Sequence, residues 1–346
     1  FVGSRGLGDV YKRQVDGYLD LKKSICKKFK RDNNLDYDVD QIVVSTGAKQ
    51  SIANVCMSLI NKGDEVLIPT PYWVSYSAMV ALAEGVPVFI NPEEDSNYKI
   101  TAQQLESAIT DKTKMLMLNS PNNPSGSVFT EQEYLEFSKV LSKYPNIIIV
   151  SDEIYEHINY GVKSLSFASL PGMFDRTVTV NGISKAYAMT GWRIGYLGAP
   201  KVIAKACNKM QGQITSGANC IAQRATIKAL EESPEKIQYM VDEFKIRRDF
   251  IIDLVTKING FNIKQPPMGA FYIFPDISEL FGKTFKGVTI NDANDLSMLI
   301  LEKAHVATVP GDAFGYPNCI RISYSASREQ IEEAIKRIKD LSLIHI

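Results

Sequence analysis

Short, almost wholly apolar runs, each followed by turn residues and then an amphipathic stretch, recur along most of this 346-residue chain. The runs are Gln41–Ser45, Glu65–Ile68, Val86–Ile90, Lys114–Leu118, Ile147–Val150, Arg176–Val180 and Tyr196–Ala199. They are too short to be helices and rich in β-branched residues, so they read as strands. Being apolar on both faces, they need cover on both faces, which points to a mostly parallel sheet between two helix layers. The stretches between them have helical spacing. Leu21, Ile25 and Phe29 recur every four residues within 15–32, and further helices are expected over 46–60, 76–84, from Thr101, from Thr130 and over 234–256. Thr101 is a candidate cap, and Thr130 with Glu133 makes a capping box. After Gly260 the pattern changes to strands at 271–274, 306–309 and 319–324 with a closing helix at 329–341. The fold class expected is α/β: a large unit over 15–240 with a mostly parallel sheet, and a smaller C-terminal α/β unit over 241–340.

Composition excludes several classes of partner. Lys plus Arg and Asp plus Glu both number 39, so no charge imbalance points to nucleic acid or a membrane surface. No apolar run approaches the roughly 20 residues of a membrane span. The five cysteines form no C-x-x-C pair, and the odd count fits reduced thiols in a cytoplasmic protein. The three histidines stand far apart and offer no metal-ligand spacing, so no metal is expected. Residues 1–14 match no targeting segment. They and residues 341–346 resemble translated adapter read-through, so both ends are expected to be non-native and the natural N-terminus missing.

Open α/β sheets bind ligands beyond the carboxyl ends of their strands, and the unusual residues of this chain collect there. Ser45-Thr-Gly-Ala-Lys-Gln50 leads a strand into a helix. Gly47 allows close backbone approach, and the helix start offers free N–H groups to a phosphate; Thr46 as an ordinary cap is the plainer reading. In Pro71-Tyr-Trp-Val-Ser75, Trp73 is either a core residue or a ring that stacks on a planar ligand. Asn119-Ser-Pro-Asn-Asn-Pro-Ser-Gly126 is a dense turn in which Asn123 can offer its amide to a phenolic oxygen. In Ser151-Asp-Glu-Ile-Tyr-Glu156, Asp152 ends a very apolar strand, where an acid is costly unless paired. It is either a helix cap or the partner of a pyridinium nitrogen, with Tyr155 as a donor to the same ring. Finally, Asn181-Gly-Ile-Ser-Lys-Ala-Tyr-Ala-Met-Thr-Gly-Trp-Arg-Ile-Gly195 places Lys185 just past a strand and Arg193 within reach of a phosphate. A lysine in a partly desolvated pocket is neutral enough to attack an aldehyde.

Taken together, these motifs resemble the class I/II pyridoxal phosphate-dependent aminotransferases of the aspartate aminotransferase type, in the bacterial subgroup marked by G-A-K-Q, P-Y-W-V-S-Y, N-P-[ST]-G, S-D-E-I-Y and S-K-A-Y-A-M-T-G-W-R-I-G-Y. The likeness runs from Val15 to Leu341 and implies fold type I of the pyridoxal phosphate enzymes. It implies that Lys185 holds pyridoxal 5'-phosphate as a Schiff base and shuttles the Cα proton, and that Asp152 pairs with the ring nitrogen. Asn123 and Tyr155 would bind the ring oxygen and Trp73 would stack on the ring. Gly47, Ala48, Lys49 and Arg193 would lie at the phosphate. Arg321, in Cys-Ile-Arg-Ile-Ser-Tyr, would grip the substrate α-carboxylate, with Trp73 and Asn123 also at the substrate. The activity implied is ping-pong transfer of an amino group from an L-amino acid, aspartate foremost, to 2-oxoglutarate, in a homodimer.

The chain also departs from that pattern. Gly182 stands where some relatives have a phosphate-binding serine, so that role is not assigned. Lys12 stands where a tyrosine normally reaches the partner's phosphate, and the substrate-contacting N-terminal segment is expected to be absent. Residues 211–219 resemble the loop that contributes to a neighbouring site. Other reactions of the fold remain open: an aromatic or alanine aminotransferase, a lyase, a non-catalytic cofactor-binding module, or a truncated chain without activity.

Overall fold

The computed structural model describes residues 15–94, 96–162 and 164–341. Residues 1–14 and 342–346, and with them the reading of Lys12, lie outside the described residues. The main element is a seven-stranded sheet of β1 (Ile42–Ser45), β2 (Glu65–Pro69), β3 (Val86–Ile90), β4 (Thr113–Asn119), β5 (Ile148–Asp152), β6 (Thr177–Gly182) and β7 (Gly195–Gly198), in the order β1-β7-β6-β5-β4-β2-β3. The pairs β2–β3, β2–β4, β4–β5 and β5–β6 are parallel, whereas β7 runs antiparallel to both β6 and β1. The reversal follows from the connection. Residues 183–194 contain no α-helix to carry a parallel crossover, so the chain returns directly beside the strand it left.

The strands are buried on both faces, and alternate residues enter different cores. Met115, Met117 and Val150 pack with Ile52 and Val55 of α2 (Ala48–Leu59) and with Ile203 of α6 (Lys201–Ile214). Leu116, Leu118 and Ile149 face the other way, onto Leu105 of α4 (Ala102–Ala108) and Phe137 of α5 (Glu131–Ser142). Helix α1 (Leu19–Asn33) buries Leu21, Ile25 and Phe29 completely against Val44 and Tyr196. Both threonine caps form as expected: Thr101 Oγ1 accepts from Gln104 N–H, and Thr130 and Glu133 bond reciprocally. Helix α3 (Ser75–Leu82) completes this layer of the chain.

Beyond it lies α7 (Cys220–Glu231), then α8 (Gln238–Val255), β8 (Tyr272–Ile273), the hairpin β9 (Thr284–Phe285) and β10 (Val288–Thr289), α9 (Ala293–Ala304), β11 (Val309–Pro310), β12 (Ile320–Ser323) and α10 (Arg328–Asp340). Strands β11, β12 and β8 form a small antiparallel sheet. Its core joins Ile251, Val255, Ile273, Leu296, Ile320 and Ile335 to Ile154, Tyr155 and Ile158 from the turn after β5. Residue 240 falls inside α8, and Val241 of that helix already belongs to this core.

Several elements differ from expectation. The strand read over 306–309 shrinks to β11, because His305 ends α9 in a left-handed conformation at φ 55° and 306–308 serve as connector. Helices α6, α7 and α9 escaped the periodicity, and in α6 the buried stripe includes polar Gln211 and small Ala204 and Cys207. Residues 211–214 belong to the last turn of α6 and not to a loop. The Gln211 amide donates to the carbonyls of Val15 and Val44, both at 2.8 Å, and accepts from Asn54. Among the described residues, no helix is long and apolar enough to cross a membrane.

One buried ionic cluster ties α1 to the strand ends. The Lys28 ammonium donates to the Glu156 carboxylate, which also accepts from Asn33 (2.6 Å) and Asn181 (2.7 Å). Burial opposes ionisation of Glu156, but Lys28, His157 and these donors hold its pKa below the usual value. Removing one partner of such a buried pair leaves a charge without compensation. Lys28→Ala is therefore expected to lower the unfolding free energy by about 3–5 kcal/mol in urea titration; a loss under about 1 kcal/mol would show that the cluster does not hold α1 in place.

Candidate active site

The register of the sheet sets the ends of three strands level. Asn119 pairs with Asp152, and Asp152 with Val180. Lys185 and Arg193 follow in the β6–β7 connection, and α2 begins beside them. Together with Arg321 from β12, these ends surround a cavity of about 370 Å³. Its wall contains Ala48, Lys49, Trp73, Asn123, Asp152, Tyr155, Lys185, Arg193 and Arg321, so the side chains singled out in the sequence come together in one place. Gly47 stands behind the wall, against Arg193.

Asp152 is itself the last residue of β5 and is only 4% exposed. Its carboxylate accepts from the Tyr76 hydroxyl at 2.7 Å and from Ile154 N–H at 3.2 Å. Turns follow it and no helix, which removes the helix-cap reading. Burial pushes its pKa up to about 6, against the pull of Tyr76, Ile154 and Lys185. Burial also keeps the Tyr76 phenol protonated, with its pKa far above normal, so it remains a donor.

Lys185 sits with its amine 5.4 Å from the ring centroid of Tyr155 and 5.3 Å from that of Phe271. Burial lowers its pKa, and Arg321 and Arg193 add to the effect while Asp152 opposes it. The neutral amine, the form that attacks carbonyl carbon, is thereby favoured.

The anion end is built by the start of α2. Gly47 is its N-cap at φ +84°, and no side chain caps the helix. Thr46 does not act as a cap: it is exposed, and its amide donates to Gln50 Oε1 at 2.7 Å. A Cβ at Gly47 would lie 2.2 Å from a guanidinium nitrogen of Arg193. Only glycine lets that cation lie against the free N–H groups of the helix start, and the two together make an anion site. A Cβ at Gly195 would meet the Ala48 nitrogen at 2.1 Å, and one at Gly182 would lie 2.8 Å from the Ile194 carbonyl. Gly182 therefore has no room for a serine, whereas Ser184 is among the residues lining the cavity.

At the opposite side, Arg321 Nη1 donates to Asn123 Oδ1 at 2.8 Å, and its guanidinium lies over the rings of Tyr272 (4.6 Å) and Phe314 (4.9 Å). Trp73 carries the Lys49 ammonium 4.9 Å from its ring centroid and meets the edge of Tyr76 at 5.4 Å. The Tyr155 and Tyr272 hydroxyls are 2.9 Å apart. Tyr76, Phe271 and Tyr272 were not singled out in the sequence. Tyr76 follows Trp73 by three residues in one motif, which is a signal in hindsight; Tyr272 stood in a strand and gave none.

The buried Asp152 carboxyl has a consequence for stability. Its folded pKa of about 6 exceeds the unfolded value of about 3.8. The protonated form is thus favoured by folding, and this contribution is lost as pH rises from about 4 through about 6. Asp152→Asn removes the group. The unfolding free energy of the variant relative to wild type should rise by about 2 kcal/mol between pH 4 and pH 7 in the cofactor-free protein. A pH-independent difference in denaturant titrations would contradict the burial-driven shift.

The chain has counterparts among known proteins. The family described as aminotransferase class I and II matches residues 13–338. A bifunctional aspartate aminotransferase and glutamate/aspartate-prephenate aminotransferase of Petunia hybrida is 46% identical over 93% of this chain and 68% of its own length. The crystal structure of the aspartate aminotransferase from Rhizobium meliloti superposes with a TM-score of 0.90 at 43% identity, covering 94% of this chain and 82% of that one. The aromatic aminotransferase from Pyrococcus horikoshii superposes with a TM-score of 0.88 at 36% identity, covering 94% and 86%. With its family match spanning nearly the whole chain and its fold shared with a solved aspartate aminotransferase, this protein belongs to the class I and II aminotransferase family.

Proposed function

We propose that the cavity binds pyridoxal 5'-phosphate and that the protein moves the amino group of aspartate to 2-oxoglutarate. The observation that carries this reading is Lys185, its amine biased to the neutral form, sharing one cavity with a buried carboxylate and an anion site. The donor set fits the cofactor. The Gly47–Arg193 cradle suits a phosphate, the Asp152 carboxylate suits a protonated ring nitrogen, and Trp73 offers an aromatic face. When bound, pyridoxal phosphate supplies an aldehyde that condenses with amines and a protonated ring that accepts the electron pair of a broken Cα–H bond.

The chain's own residues do the rest. Asp152 would hold the proton on the ring nitrogen, and Tyr76 and the Ile154 amide hold Asp152 in place. Asn123 and Tyr155 would donate to the ring oxygen. Ala48, Lys49 and Gly47 lie with Arg193 at the phosphate. Lys185 would hold the cofactor through its amine, and its free amine would serve as the base and acid that moves the substrate Cα proton. Arg321 grips the α-carboxylate as a planar fork. The part of the chain from α8 to α10 carries Arg321 and is proposed as a small domain that closes over the substrate, excluding water. A second copy of the chain is proposed to complete the site as a homodimer, and the five free thiols support a cytoplasmic setting.

The aspartate reading is supported by the names of the relatives, since the matching proteins of Petunia hybrida and Rhizobium meliloti are both aspartate aminotransferases. Arg193 and Arg321 take the phosphate and one carboxylate. An aromatic donor is the second reading, favoured by the Trp73, Tyr155 and Tyr272 rings in the same wall.

Purified holoenzyme with aspartate and 2-oxoglutarate should yield equal amounts of oxaloacetate and glutamate; turnover of tyrosine or phenylalanine without either product would replace aspartate by an aromatic donor. Lys185→Ala should abolish the pH-sensitive visible absorbance of the holoenzyme and lower kcat by roughly 10³-fold or more. Arg321→Lys should raise KM for both substrates by roughly 10-fold or more, since the bidentate grip is lost; an unchanged KM would place the α-carboxylate elsewhere.

A further inference from the structure

Tyr272 lies in the wall of the cavity and touches two of the groups assigned above, yet none of those assignments uses it. Its position is determined by the segment before it. The N–H groups of Met268 and Gly269 both donate to the Gly126 carbonyl, at 2.9 and 3.0 Å, and Ala270 N–H donates to Ile158 at 2.9 Å. The Ala270 carbonyl accepts from the hydroxyls of Tyr160 and Tyr324. Ala270 is left-handed at φ 56°, a conformation alanine keeps only where its surroundings impose it. The next residues, Phe271 and Tyr272, are thereby aimed back at the turn that carries Tyr155. Tyr272 then pairs with Ser323 in β12, two positions beyond Arg321, so the ring lies on the strand face that Arg321 occupies.

The Tyr155 hydroxyl has one proton to give. In the cavity its hydroxyl partner is Tyr272, at 2.9 Å. A Tyr155 that donates to the cofactor ring oxygen cannot also donate to Tyr272, so Tyr272 has to donate to Tyr155. The other charged or titratable groups facing Tyr155 are Asp152, Lys185 and Arg321. Asp152 is already engaged by Tyr76 and Ile154, and neither Lys185 nor Arg321 offers a hydrogen bond to the phenol. We propose that Tyr272 is a positioning residue with two separable tasks: its hydroxyl donates to Tyr155 and directs that proton at the cofactor ring oxygen, while its ring supports the guanidinium of Arg321. The inference rests on the cofactor reading given above.

The two tasks call for different substitutions. Tyr272→Phe removes the hydroxyl and keeps the ring; Tyr272→Leu removes both. In a chain of hydrogen bonds each donor strengthens the next. Without Tyr272 the bond from Tyr155 to the ring-oxygen anion weakens, the protonated form of the chromophore gains, and its pH midpoint moves up. In the Tyr272→Phe holoenzyme, the midpoint of the visible absorbance titration should rise by roughly 0.2–0.5 unit, with KM for aspartate unchanged. Tyr272→Leu should show the same rise and in addition a KM increase of roughly 3- to 10-fold, from loss of the ring beneath Arg321. In a Tyr155→Phe background, Tyr272→Phe should leave the midpoint where it is. An unmoved midpoint in Tyr272→Phe, or a shift that persists without the Tyr155 hydroxyl, overturns the relay. An unchanged KM in a folded Tyr272→Leu protein, judged by near-ultraviolet circular dichroism, overturns the support of Arg321. If the wild-type band survives Lys185→Ala, the cofactor reading itself fails and this inference falls with it; a Lys185-dependent band that ignores Tyr272 defeats the inference alone.

Discussion

A carboxylate at the end of the most apolar strand of the sheet is the constraint on which the rest of the site depends. Asp152 cannot stay ionised in that position without partners, because desolvation opposes the charge. Tyr76 and the Ile154 amide supply two donors. They do not fully offset burial, since the pKa still rises to about 6. The site is thus under-compensated by itself, which supports the proposed pairing of Asp152 with a protonated ring nitrogen.

The same burial acts in the opposite sense on Lys185. Desolvation costs a carboxylate its charge and an ammonium its charge, so one wall of the cavity has an acid that resists ionising and the other an amine that resists protonation. Arg321 and Arg193 add to the effect on the lysine. The glycines around them explain the proximity: Gly47 and Gly195 let Arg193, β7 and the start of α2 come closer than any side chain would allow. Farther out, the Lys28–Glu156 cluster fixes the turn that carries Tyr155, and the small sheet holds Arg321 and Tyr272 against it.

Much of this was legible in the residues. The strands of the sheet and the helix α1 are stated by local periodicity, the cap at Thr101 by residue type, and the cap at Thr130 by its spacing of three to Glu133. The strand-end loops announced themselves because turn residues, a lone acid and a lysine next to apolar strands are locally out of place. Elements whose buried face is not apolar did not announce themselves. Helix α6 turns Gln211 inward, where its amide satisfies two backbone carbonyls, so its stripe looked broken. Of the short strands, β8 was legible within 271–274, whereas the bounds of β11 are set by its pairing with β12 and the pattern read over 306–309 misplaced them.

The sequence by itself determined the fold class, the set of strand-end residues and the chemistry each can perform, because those follow from local pattern and from the side chains themselves. Tertiary structure alone decided which groups meet. Tyr76 reaches Asp152 across 76 residues of sequence, Tyr155 meets Tyr272 across 117, and Arg321 bonds Asn123 across 198. Such partnerships depend on sheet register and on how the small sheet docks, and a hydroxyl or an amide carries no mark of its distant partner in the sequence.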